Sequence, residues 1–286
     1  MLKVRELFHS YTNDNRYAVE GISFEIREGE IFGFLGPNGA GKSTTQKILT
    51  GLLPLQKGQA AIAGTDVRKP TSGFYNLIGV SFEQPNLYKK LTGYENLDFY
   101  RRMYSVPTNE PMELLRMMGL ENAANKRAGD YSKGMQQRLV LARSLVNKPR
   151  MWFLDEPTSG LDPATASEVK EMIKNKQHEG VTVFLTTHNM QTADELCDRV
   201  AFINEGRIVL IDSPRNLKLK YGEKLIIVEY RENGDLKRQR LSMTEGGDKA
   251  RLNKLFQDDS IEIETVHSQE ATLEEIFIKI TGRRLK

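Results

Sequence analysis

The sequence predicts an α/β protein built on a mainly parallel β-sheet, and three features carry that expectation. Short, almost wholly apolar runs recur at residues 30–35, 151–154 and 181–186, as expected of strands covered on both faces. A glycine-punctuated loop, Gly36 to Gly41, joins the first run to a segment with helical spacing. Between residues 85 and 149 the pattern is helical, rich in Met, Leu and Arg, with almost no alternation.

Taken in order, residues 2–5 and 22–26 alternate apolar and polar side chains around a turn at Asn13, Asp14 and Asn15, which predicts two antiparallel strands. The buried run 30–35 (Glu-Ile-Phe-Gly-Phe-Leu) follows, then a helix over about 44–52 carrying Ile48, Leu49 and Leu52 on one face. A short strand at 78–82 precedes the helical insertion. Strands at 151–154, 181–186 and 200–203 complete the sheet, with a helix from Pro163 to about Lys176 between the first two. Past Asp212-Ser213-Pro214 the character changes to charged alternation at 225–230 and 236–241 around an Asn233-Gly234 turn. The chain then closes on a capping-box pattern, Thr272-Leu273-Glu274-Glu275, ahead of Ile276, Phe277 and Ile280. These shifts divide the chain into a core (1–84 and 150–215) with an antiparallel β subdomain, a helical subdomain (85–149) and a small C-terminal α+β extension (216–286).

At 286 residues the chain has room for about two domains of ordinary size. Its 41 Lys and Arg against 38 Asp and Glu leave a formal charge of +3, too small an excess for a dedicated nucleic-acid binder. A single cysteine, Cys197, excludes an intramolecular disulfide and a cysteine-cluster metal site, and reads as structural burial. A bilayer span needs about 20 consecutive apolar residues, and no run approaches that length; no secretory signal is visible, so a cytosolic location is the default expectation.

Gly36-Pro37-Asn38-Gly39-Ala40-Gly41-Lys42-Ser43 fits G-x-x-x-x-G-K-[ST] and sits after a buried strand, at the start of a helix. Glycines let the backbone wrap an anion, the loop amides and helix amino terminus point positive charge at phosphates, Lys42 bridges outer oxygens, and the Ser43 hydroxyl can ligate Mg²⁺. Asp155 and Glu156 stand together at the carboxyl end of the buried run 151–154, the edge where parallel sheets bind ligands. Asp155 is expected to hold the metal's water shell and Glu156 to polarise the attacking water. His188, just past the run 181–186, occupies the same edge and is expected to sense the terminal phosphate.

A second motif lies between the two halves of this site. Tyr131-Ser132-Lys133-Gly134-Met135-Gln136-Gln137-Arg138 resembles the signature sequence of the ATP-binding subunits of ABC (ATP-binding cassette) transporters. Ser132 is a natural N-cap, and the helix it opens presents amides to an anion, with Met135, Leu139, Ala142 and Leu145 as its expected buried stripe. The resemblance implies a P-loop NTPase core of the RecA-like kind, ATP with Mg²⁺ as ligand, and two copies closing head to tail so that Ser132, Lys133, Gly134 and Met135 reach the neighbour's ATP. It further implies that Tyr11 stacks on adenine, with Tyr17 as competitor, that Thr44 joins the phosphate loop, and that Asp162 in Ser159-Gly160-Leu161-Asp162 belongs to the loop linking the two sites. A helix N-cap at Asp162 would look the same locally.

Two positions depart from the family's pattern. The strand at 78–82 usually ends in a glutamine that reaches the metal; here Glu83 takes that place and Gln84 follows, and either can fill the role. Tyr131 and Lys133 replace the signature's leucine and first glycine. The segment 271–282 resembles the carboxyl end of cassettes serving ABC-2 type exporters, including drug-export systems. The implied function is therefore an ATPase that powers a separate transmembrane permease from the cytoplasmic face of the membrane. Two alternatives stay open on sequence: a soluble ABC ATPase with a non-membrane partner, and a non-hydrolysing nucleotide switch motivated by Glu83.

Overall fold

The computed structural model describes residues 1–12, 16–223, 225–232, 234–242, 246–258 and 261–282; the turns expected at Asn13 to Asn15 and at Asn233 lie outside the described residues. The chain divides into two compact units, one over Met1–Ser213 and the other from Pro214 onward.

In the first unit, β1 (Leu2–His9) and β2 (Val19–Ile26) pair antiparallel, with Leu2 opposite Ile26 and Val4 opposite Phe24. Their alternation places Leu2, Val4, Ile22, Phe24 and Ile26 inward. β3 (Ile31–Leu35) is buried throughout, and α1 (Lys42–Leu49) follows the loop. The helix begins two residues before the apolar spacing suggests, because its first turn is built from the loop's own Lys42 and Ser43. β4 (Lys57–Ile62) and β5 (Thr65–Asp66) then extend the antiparallel sheet to the order β2-β1-β4-β5. The segment 57–62, Lys-Gly-Gln-Ala-Ala-Ile, carries one large apolar residue, so periodicity alone does not reveal it.

α2 (Ser72–Leu77) leads into β6 (Ile78–Ser81), and the helical insertion holds α3 (Gly93–Arg101), α4 (Pro111–Met117) and α5 (Lys133–Ser144). β7 (Met151–Asp155), α6 (Pro163–His178), β8 (Thr182–Thr187), α7 (Met190–Leu196), β9 (Arg199–Asn204) and β10 (Arg207–Asp212) finish the unit. The six strands run in the order β10-β9-β3-β8-β7-β6, all parallel except β10, which turns back against β9. The two sheets share one core. Phe24 from the antiparallel sheet stacks 5.5 Å from Phe32 and lies 6.1 Å from Phe184, which in turn meets Phe34 and Phe153. Each such side chain contributes roughly 1.5–3 kcal/mol on burial, and the cluster fixes the sheet whose edge carries the site. On the opposite face of β3 a Cβ at Gly33 would stand 2.7 Å from the Cys197 sulfur, and burial pushes that thiol well above its ordinary range.

The second unit comprises α8 (Pro214–Tyr221), β11 (Leu225–Glu232), β12 (Asp235–Ser242), α9 (Gly246–Gln257), β13 (Ile261–Gln269) and α10 (Leu273–Thr281). Its strands form an antiparallel sheet in the order β12-β11-β13, and α9 packs on one face around Val228, Leu241 and Leu255. The capping box at Thr272 and Glu275 opens α10, and Gly282, at φ 68°, ends it.

Candidate nucleotide site

The parallel register brings the carboxyl ends of β3, β7 and β8 to one edge, where a cleft of about 350 Å³ is lined by Tyr11, Ala18, Asn38, Gly39, Gly41, Lys42, Ser43, Thr44, Glu83, Asp155, Glu156 and His188. Residues separated by more than 170 positions in the sequence thus share one hollow.

The loop threads between two other stretches of backbone. A Cβ at Gly36 would stand 2.2 Å from the carbonyl oxygen of Ile203, and at Gly41, with φ 108°, 2.5 Å from that of Ala18, so neither position admits a side chain. Ala40 is buried, donating its N–H to Pro37 O (3.2 Å) and accepting from Gly206 N (3.0 Å). Lys42 folds back over the loop and donates from Nζ to the carbonyls of Gly36 (2.7 Å) and Pro37 (3.1 Å). Burial holds this ammonium below the usual lysine range, opposed by the negative charges of Glu156, Asp155 and Glu83.

Burial raises the Asp155 carboxyl above its ordinary range, and the neighbouring charge of Glu156 adds to that. Hydrogen bonds from the Thr186 and Ser43 hydroxyls and the charge of Lys42 work in the opposite direction. A buried carboxylate bonded to a hydroxyl is an all-oxygen pair of the kind a hard divalent cation takes, so Ser43 and Asp155 fit Mg²⁺. Among the described residues no cluster of three or more His, Cys, Asp or Glu is gathered for a metal, and Glu83 does not complete one. Glu83 nevertheless faces the cleft, whereas Gln84 does not line it; both sit in a bend just past the end of β6.

Glu156 takes φ 48°, a left-handed conformation that costs a non-glycine residue on the order of 1 kcal/mol, fixed by Glu156 N donating to Thr186 O at 2.9 Å. Its carboxylate is held from three sides. Oε2 accepts from Thr187 Oγ1 (2.8 Å), while Oε1 accepts from His188 N (2.8 Å) and lies 2.6 Å from His188 Nδ1. The His188 side chain stays 46% exposed, with its second ring nitrogen free of that contact. Thr186 and Thr187 are the site residues that sequence reasoning missed; the signal was two hydroxyls closing an otherwise apolar strand one step from the expected histidine.

Tyr11 lines the cleft with its hydroxyl 3.1 Å from Thr44 Oγ1 and its ring edge-on to His9 at 4.9 Å. Tyr17 instead packs against Phe8 (5.5 Å) and lies outside the cleft lining. Ser132, Lys133, Gly134, Met135 and Asp162 do not line the cleft of their own chain. Ser132 caps α5 by accepting from Met135 N at 3.2 Å, and its helix start is exposed. Met135 is only half-buried, not part of the buried stripe with Leu139, Ala142 and Leu145, because the first turn projects beyond the core. Tyr131 is buried and donates its hydroxyl to Ala123 O (2.7 Å), which accounts for an aromatic where the signature carries leucine. Asp162 caps α6, accepting from Thr165 N (3.0 Å) and Thr165 Oγ1 (2.7 Å); these bonds hold its carboxyl below the usual range.

A strand, an anion-cradling loop and paired carboxylates at a parallel-sheet edge define a phosphate-loop nucleoside triphosphatase. The sequence profile of the ABC transporter family matches residues 19–159. A fluoroquinolones export ATP-binding protein of Mycobacterium tuberculosis is 48% identical over 286 residues, covering 100% of this chain and 94% of that protein. A daunorubicin resistance ATP-binding protein of Streptomyces coeruleorubidus is 32% identical, covering 93% of this chain and 91% of its own length. Among solved structures, a dimeric ATP-binding cassette in a post-hydrolysis state, bound to ADP and Pi, matches with a TM-score of 0.69 at 28% identity, covering 74% of this chain and 98% of the other. The chain belongs to the ABC transporter family, as one of its ATP-binding, ATP-hydrolysing cassettes. Among the described residues no helix is long and apolar enough to cross a membrane.

Proposed function

We propose that this chain drives export: two copies close head to tail over two ATP, and the closure works a separate integral membrane permease of the ABC-2 type from the cytoplasmic face. The observation that carries the reading is the carboxylate of Glu156, held by Thr187 and His188 at the edge of the phosphate cleft. The names of the mycobacterial and streptomycete relatives support a drug-like cargo. No nucleic-acid partner is part of the reading.

Asn38 to Thr44 receive the phosphates on backbone amides. Lys42 exchanges its bonds to the Gly36 and Pro37 carbonyls for phosphate oxygens, which restores full donor use to a buried cation. Ser43 and Asp155 hold Mg²⁺, which supplies charge neutralisation at the phosphoryl oxygens. Glu156 accepts the proton of the attacking water, while Thr187 and the His188 amide keep the carboxylate aimed. His188 turns its free ring nitrogen toward the terminal phosphate, Glu83 stands where the family's glutamine stands, and Tyr11 offers its ring to the base. Each copy's Ser132 and Lys133, exposed at the start of α5, with the half-buried Gly134 and Met135 beside them, cover the nucleotide of its neighbour, with Asp162 in the connecting loop.

Light scattering on the purified protein with Mg²⁺ and a slowly hydrolysed ATP analogue tests this arrangement. A doubling of mass is expected, and it should be lost in Ser132→Arg. Monomers at every concentration, with the permease supplied in detergent, would overturn it.

A further inference from the structure

The second unit lies beyond the family profile, which ends at residue 159, yet the mycobacterial relative matches this chain along its whole length. Nucleotide chemistry assigns it no task. In its antiparallel sheet, residues 226, 228 and 230 of β11 point to the face that α9 covers. The strand's alternation sends Leu225 and Ile227 to the other face, where Arg240 of β12 lies opposite Ile227 and Gln269 of β13 opposite Leu225. α10 covers that second face incompletely. Between them is a cavity of about 350 Å³, the size class of small-molecule sites.

The walls are mostly apolar, with Leu225, Ile276 and Ile278 among them. Each of the three carboxylates at the mouth has a partner within the unit. Glu223 lies 4.0 Å from Lys279 Nζ, Glu270 lies 3.9 Å from Lys218 Nζ, and Glu275 accepts from Thr272 N at 2.9 Å in the helix cap. Lys279 also donates to Tyr221 O at 3.1 Å. Among the described residues, Arg240 and Gln269 line the cavity with side chains that make no ion pair or hydrogen bond. The exposed guanidinium of Arg240 and the half-buried carboxamide of Gln269 therefore present side-chain N–H donors without a protein partner at the rim of an apolar floor, groups that a carboxylate can accept from.

We propose that this cavity binds a small apolar ring compound bearing a carboxylate, with the ring on Leu225, Ile276 and Ile278 and the carboxylate on Arg240 and Gln269. The site belongs to the second unit alone and needs neither nucleotide nor a second copy. Isothermal titration of the full-length chain with 2-naphthoate tests it, alongside 2-naphthylmethanol and 2-naphthylmethylammonium as neutral and cationic controls. One saturable site for the acid is expected, weakened at least about tenfold in Arg240→Gln, as loss of a charge-assisted hydrogen bond predicts, with the neutral control weaker by a similar factor. Ala271→Phe, which fills the cavity from its wall, should abolish the binding while ATP binding persists in the same sample. The proposal fails if no saturable heat is seen, if Arg240→Gln and Ala271→Phe bind the acid as the parent does, or if the cation binds best.

Discussion

Replacing Glu156 by glutamine separates the chemical step from everything that builds the site. The substitution keeps the side chain's size and one acceptor oxygen, which can still take the His188 amide hydrogen. Only the Thr187 hydroxyl, 2.8 Å from the other oxygen, has to reverse its role and accept. The φ of 48° suits either residue equally, so stability should change by no more than about 1 kcal/mol. What glutamine cannot do is take a proton from water. Loss of a general base slows turnover by about 10²–10⁴-fold, or roughly 2.7–5.4 kcal/mol of barrier at 1.36 kcal/mol per tenfold. Steady-state phosphate release at saturating ATP and Mg²⁺ is the assay, with thermal melting and nucleotide binding measured on the same preparation. An ATP-bound dimer should accumulate. Turnover within about threefold of the parent, with melting unchanged, would refute the role given to this carboxylate.

Asp155→Asn should abolish Mg²⁺-dependent hydrolysis yet raise the melting temperature at neutral pH. Because burial lifts this carboxyl's folded-state pKa, its ionised form is penalised above that pKa, and the penalty fades as pH falls toward the unfolded value. The gain from asparagine should accordingly be largest at neutral and alkaline pH and shrink on acidification; a lower melting point at pH 7 would contradict the sign. Gly36→Ala and Gly39→Ala form a contrasting pair. The first drives a Cβ to 2.2 Å from a backbone carbonyl and should eliminate ATP binding, whereas the second meets nothing within 4 Å and should cost only about 1 kcal/mol for its φ of 78°, as equilibrium denaturation and nucleotide titration will show. Tyr11→Ala should raise the apparent Kd for ATP by about 5- to 100-fold through lost stacking, while Tyr11→Phe, which loses only the Thr44 contact, should change it by less than about fivefold. Equal effects of the two would place the base elsewhere.

Much of this was already written in local sequence. A phosphate loop is a backbone conformation, and the glycines of 36–41, the lysine and the serine that create it are contiguous, as are the apolar run and the two acids of 151–156. The N-caps at Ser132 and Thr272 are likewise fixed within one helical turn, so spacing alone revealed them. Asp162 was legible as a cap, though not its place outside the cleft of its own chain. β4 and β5 escaped notice because a short or half-exposed strand has no periodicity that survives without its partners, whereas β10 and β13 were missed despite an apolar run at 208–211 and alternation at 261–266.

The tertiary structure decided matters of direction and partnership. Sequence placed Glu83 and Gln84 in one extended segment, and only packing turned the first toward Lys42. Tyr17 stayed a competitor to Tyr11 until Thr44 and His9 fixed the Tyr11 ring at the cleft and Phe8 took the other. Thr187 and His188 lie 31 and 32 positions from Glu156, and nothing local says that β7 and β8 will be neighbours that set a hydroxyl and an imidazole against that carboxylate. The cavity beside Arg240 exists only because three strands and a helix meet in one register. The physical reason is the same throughout: backbone conformation and capping are short-range preferences read along the chain, whereas the facing of side chains depends on contacts that form only once distant segments have packed.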